Sequence, residues 1–171
     1  MKNKVLLDEN KKYEFDFSDL EYVWEMHDLT NNIMLSDVDF ITETDKEVLF
    51  IEYKNASIEG AVNPNGMLQK IKGEDFYKRI ARKYYDSLFL FWACKGNEKE
   101  LPITYVLLIE HPIIDIKLRK QLKIKIIKQL PFKLEGKKMV REIISNFEVY
   151  NLEEWREKFP QIKITPVVSV E

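Results

Sequence analysis

The spacing of apolar and polar positions divides the chain into alternating strand-like and helix-like stretches. Residues 1–13 read as an irregular or short-strand start. Ser18-Asp19-Leu20-Glu21 has the form of a capping box and predicts a helix to about Asn31, with Leu20, Val23, Trp24 and His27 on one side. Strands are expected at about 36–43 and 47–54, around the polar turn near Asp45 and Lys46. Val48 to Ile51 are continuously apolar, as in a strand buried on both faces. A loop is expected over Asn55 to Val62. Asn63-Pro64 then opens a helix to about Tyr85, bent near Gly73. Ser87 to Cys94 reads as an apolar, aromatic strand, and Ile103 to Glu110 as another, with a polar turn between them. From His111-Pro112 to about Leu130 the pattern starts helical, but Lys123-Ile124-Lys125-Ile126 alternates like a strand. A helix over Lys137 to Asn146, a strand over Phe147 to Tyr150, a short helix from Asn151 to before Pro160 and an edge strand in Ile162 to Val170 complete the reading. The order predicts an α/β domain with a central mixed β-sheet flanked by α-helices, all in one unit of 171 residues.

The chemistry gathers on the paired runs. Side chains of a strand alternate faces, so Glu52 and Lys54 point the same way, and a hairpin returns Asp39 to their neighbourhood. Two carboxylates and an ammonium at one end of a sheet suit a divalent metal and a phosphate. Mg²⁺ takes oxygen ligands, commonly one or two carboxylates with waters and substrate oxygens. Asp39 and Glu52 are the candidate ligands, with the backbone carbonyl of Tyr53 as a further one. Lys54 is placed to orient the attacking water or neutralise developing charge. Asp37 shares strand parity with Asp39 and competes for the acid role.

The segment resembles the PD-(D/E)XK nuclease superfamily. Its motif places an acid on one strand, a spacer, and (Asp/Glu)-x-Lys closing the next. Here the acid is Asp39, the spacer runs over 40–51, and the triplet is Glu52-Tyr53-Lys54; Val38 stands where the family often has proline. The resemblance implies a restriction-endonuclease-like core, a metal-dependent endonuclease activity on DNA with catalytic Asp39, Glu52 and Lys54, and Mg²⁺, with Mn²⁺ as a substitute. A non-catalytic binding or assembly module of the same fold is the alternative. Some members add a Glu from the first helix, for which Glu25 is the candidate. Others use Gln-x-x-x-Tyr on the next helix. Gln69 is present here, but Gly73 holds the Tyr position.

Charge sharpens the picture. The whole chain carries a formal net charge of −2. Residues 1–60 hold 6 basic and 15 acidic residues, whereas 61–141 hold 18 and 8. The basic middle is the expected phosphate-facing surface. Lys70, Glu74, Lys78 and Arg82 form an i,i+4 ladder flanked by Arg79 and Lys83. Lys70, Lys78 and Arg82 are the candidate nucleic-acid contacts, and the run from Lys117 to Lys128 is a second possible wall. A homodimer or larger nucleoprotein assembly is expected, because cutting both strands of a duplex needs two sites.

Other classes recede. No run of eighteen apolar residues predicts a membrane span. The N-terminus lacks a long apolar stretch with a cleavage site, and Cys94 is the single cysteine, so a cytoplasmic location is expected. Cys94 reads as a buried thiol. Glycine-rich phosphate loops are missing, which disfavours a nucleotide cofactor. His27 and His111 fall in no metal-ligand spacing and read as structural.

Overall fold

A computed structural model describes residues 4–55 and 64–168. Its core is a five-stranded mixed sheet in the order β3-β4-β5-β6-β7. The strands are β3 (Val23–Trp24), β4 (Phe40–Glu43), β5 (Val48–Asn55), β6 (Ile103–Glu110) and β7 (Asn146–Tyr150). β4 and β5 form the expected antiparallel hairpin, with Phe40 opposite Ile51 and Glu43 opposite Val48. β5, β6 and β7 are parallel neighbours, which requires crossover connections. The first crossover carries α2 (Pro64–Ile71) and α3 (Glu74–Ala93), and the second carries α4 (Ile116–Ile127). β1 (Val5–Leu7), β2 (Tyr13–Asp16) and β8 (Lys163–Pro166) make a separate antiparallel sheet in the order β1-β2-β8. A single turn, α1 (His27–Thr30), and α5 (Leu152–Lys158) complete the fold. α5 begins at a full capping box between Asn151 and Glu154.

The period of two in β5 builds both cores. Val48 and Phe50 face one layer, with Ile80, Tyr84 and Phe91 of α3 and Leu122 and Ile126 of α4. Leu49, Ile51 and Tyr53 face the other, with Phe15, Trp155 and Ile164 of the small sheet and α5. The Phe50 ring lies 5.2 Å from that of Tyr84 and 5.3 Å from that of Phe91, centroid to centroid. Burying such aromatic side chains supplies roughly 1.5–3 kcal/mol each before the entropy of ordering them is counted. β5 therefore lies between two apolar layers, as its unbroken apolar run predicts.

Four expectations fail, each for a physical reason. The helix over 18–31 does not form. Asp16 instead accepts the Ser18 amide, and Val23 and Trp24, residue types that favour strands, pair with Thr42 and Ile41 as an edge strand. Only His27–Thr30 is helical there. The stretch from Ser87 continues α3 to Ala93 instead of forming a strand. Its residues keep the stripe of Ile80, Tyr84, Leu88 and Phe91, and Phe89 between them is 63% exposed, whereas a central strand would bury neighbours on both faces. Cys94, just past the helix end, is exposed and not buried. The segment over 137–145 is irregular: Ile144 is buried in the core, but Val140, one helical turn before it, is 92% exposed, so the apolar positions do not dock as one face.

Two helical boundaries are refined. The bend expected at Gly73 is a break, with Gly73 extended as the residue before α3. The ambiguous 123–126 stretch is helical, inside α4. The loop expected after Asn55 and the Asn63 cap lie outside the described residues. Among the described residues, no helix is long and apolar enough to cross a membrane.

Candidate active site

Asp39 directly precedes β4, so the hairpin register brings it beside Glu52 near the carboxyl end of β5. Glu52 and Lys54 follow Val48 and Phe50 in parity and look toward the helical layer. The carboxyl ends of parallel strands are where open α/β sheets commonly place ligands. The Tyr53 amide donates to Asp39 Oδ2 at 2.7 Å, which ties the two strands together at the site. The Tyr53 side chain faces the opposite layer among aromatic rings, so only its backbone is available on this side.

Glu52 is fully buried. Lys54 Nζ lies 2.7 Å from its Oε1. A second ammonium arrives from α3: Lys83 Nζ is 2.8 Å from Oε1 and 2.9 Å from Oε2. Both ammoniums converge on Oε1, so the buried carboxylate is neutralised by close ionic contact. The cluster is thus two carboxylates and two ammoniums, with the lysine side chains 32% and 25% exposed.

The electrostatics follow from that packing. Burial, and then the neighbouring Glu52 carboxylate, push the Asp39 pKa up to about 7, against the pull of Lys83, Lys54 and the Tyr53 amide. Burial works against the Lys54 ammonium, but Glu52 and Asp39 outweigh it and hold its pKa above the usual range.

The sequence pattern sets Lys83 at the flank of the basic ladder. The sign of its different place is its spacing: it falls three residues after Ile80 and four before Ser87, both buried on the inner stripe of α3. The competing acids lie elsewhere. Asp37 accepts from Thr30 Oγ1 at 2.8 Å and lies 3.8 Å from His27, in the turn of α1. Glu25 is exposed, with Asp28 and His27 as its charged neighbours. Gln69 is exposed on α2.

The basic candidates share one groove. Lys70, Lys78 and Arg82 line it together with Arg79 and Phe76. Their partners differ. Lys70 is exposed, and Lys78 pairs with Glu74 at 3.3 Å on the helix surface. Arg82 lies 3.3 Å from Asp86 and donates to the Met34 carbonyl at 2.7 Å, so it also pins the chain before Asp39 to α3. In the run from Lys117 to Lys128, Arg119 is buried and grips Glu154 with two nitrogens, and Lys123 holds Glu148. Those two bases are committed to packing α4 against α5 and β7.

Asp39 and Glu52 fit a small, hard cation. Among the described residues, no group of three or more His, Cys, Asp or Glu side chains could hold a metal. Two carboxylates are a smaller set, one that suits Mg²⁺, which keeps several waters. The full burial of the Glu52 carboxylate beside Asp39, where an anion needs positive charge close by, is the observation that favours a cation there. No protein-family model, curated protein or solved structure matches the chain.

Proposed function

We propose that this chain is a Mg²⁺-dependent endonuclease that hydrolyses phosphodiester bonds in DNA, built on a restriction-endonuclease-like core. The observation that carries the reading is the meeting of Asp39, Glu52 and Lys54 at the carboxyl end of β5, with the Glu52 carboxylate fully buried among them. The groove of Lys70, Lys78, Arg79 and Arg82 on the following helices supports a polyanionic substrate.

Asp39 and Glu52 would hold the cation, with the Tyr53 carbonyl as a further ligand, and Mn²⁺ would substitute. Bound there, Mg²⁺ supplies Lewis-acid stabilisation of the phosphate and a water of lowered pKa. Lys54 would orient the attacking water and offset the negative charge that builds on phosphate. The basic groove holds the flanking phosphates. Paired copies would serve the two strands of a duplex, in the cytoplasm.

A second reading, a non-catalytic binding or assembly module, has one observation in its favour. Two ammoniums already balance the two carboxylates, so the cluster is electrically closed as it stands. Labelled duplex, branched and single-stranded DNA, with RNA beside them, incubated with Mg²⁺ or Mn²⁺, separates the readings. Cleavage by the wild-type chain that disappears in folded Glu52→Ala and Lys54→Ala proteins is the expected result. Binding without cleavage selects the second reading. Cleavage retained by both variants would falsify the site.

A further inference from the structure

We propose that Lys83 is a positioning residue that occupies the metal face of Glu52 in the metal-free protein and is displaced when a divalent cation binds. The inference rests on the reading above and adds a residue that the Asp-(Glu-x-Lys) pattern does not contain.

The geometry separates the two lysines. Lys54 comes from the same strand as Glu52 and touches Oε1 alone. Lys83 comes from a different element and spans both oxygens, at 2.8 and 2.9 Å. A cation that takes either oxygen of Glu52 must therefore contend with Lys83. The arrangement is more than a surface contact. The carboxylate is fully buried, and an anion taken out of water needs a counter-charge. Lys83 supplies part of that charge until a stronger cation arrives.

Displacement is sterically open to it. The Lys83 side chain keeps 25% of its surface exposed. Arg79, one turn earlier on α3, lines the basic groove. An ammonium that leaves Glu52 on its four-carbon stem has solvent on its exposed side, so it can yield the carboxylate without disturbing the core.

A direct test titrates Mn²⁺ into the purified full chain and counts the free ion by electron paramagnetic resonance. Wild type is compared with Lys83→Met, Lys83→Gln, Lys83→Arg, Lys54→Met and Glu52→Gln, each checked for native circular dichroism. Removing a competing charge should tighten Mn²⁺ binding at least about fivefold in Lys83→Met and in Lys83→Gln, either of which suffices if the other does not fold. Lys83→Arg keeps the charge and should stay within about twofold of wild type, as should Lys54→Met. If Glu52→Gln abolishes binding but Lys83→Met binds no tighter than wild type, the metal site stands and the role of Lys83 is overturned. Equal tightening by Lys54→Met, or tightening by Lys83→Arg, also overturns it, since the effect would then not belong to the Lys83 charge. If no protein shows binding that depends on Glu52, the nuclease reading falls and this inference falls with it.

Discussion

Asp39 faces a second carboxylate across a hairpin, and its proton links folding to pH. Its pKa is about 7 in the folded chain against an ordinary 3.8. The folded state therefore holds this proton more tightly than the unfolded state. The stability it contributes is fully present below pH 3.8 and is lost as pH rises through about 7. Asp39→Asn removes the step. The stability difference between the variant and wild type should shift in favour of the variant by roughly 1–3 kcal/mol between pH 4 and pH 8, a range kept modest because Asp39 is only half-buried. Urea melts across that range measure it, and a constant difference would refute it. Glu52 gives the opposite sign to a simple expectation. Two facing carboxylates alone would gain from the loss of one, but Glu52 also neutralises Lys54 and Lys83. Glu52→Ala strands both ammoniums beside each other and should cost roughly 1–3 kcal/mol at pH 7, readable as a lower urea midpoint. At this scale Asp39, Glu52 and Lys54 were legible because strand parity and hairpin register are short-range rules. Lys83 was hidden because its partner lies 31 residues away and it sits in a cluster of bases with the exposed Arg79 and Arg82.

Among the elements, α3 is the one with two duties. Its outer surface supplies Lys78, Arg79 and Arg82 to the groove, while its inner stripe packs on β5 and delivers Lys83. Those duties respond differently to mutation. Lys70→Ala with Lys78→Ala should weaken duplex binding across sequences and flatten the dependence of log affinity on log salt by roughly one unit per lost phosphate contact. Folding should be unaffected, because Lys70 and Lys78 are exposed and surface pairs contribute little. Arg82→Ala should add a loss of stability of about 1 kcal/mol, since its guanidinium also carries the Met34 carbonyl. A salt series with fluorescent duplex, paired with thermal melts, distinguishes them; an unchanged slope would place Lys70 and Lys78 on a merely solvated face. The hairpin and β6 were readable because each carries a local rule, period two or an unbroken apolar run, and α5 because Asn151 opens it and Pro160 bounds it. The second half of α3 was not, because Leu88 to Trp92 is apolar enough for a strand and only the buried stripe beneath it decides for helix. The edge strand β3 was hidden for the converse reason, since its two residues gain regularity only from β4.

The whole molecule is three layers, with helices on one face of the mixed sheet and the small antiparallel sheet with α5 on the other. The coarse α/β class followed from element order, but the separate sheet did not, because β2 and β8 lie near opposite ends of the chain and no local pattern reports a pairing that distant. One long-range tie has a dynamic meaning. The Ser36 amide donates to Asp86 and the buried Val38 amide to Ser87, each at 2.8 Å, so with the Arg82–Met34 contact the approach to Asp39 hangs from α3 at three points. The Val38 amide is buried in its contact while the helix is seated. In hydrogen–deuterium exchange monitored by NMR, the Val38 proton should open with the same free energy as the inner amides of α3, and not with that of the exposed turn just before it. A protection factor far below that of α3 would show the tie to be local. If the two agree, one backbone proton becomes a clock for the helix that carries Lys83, read without substrate, metal or label.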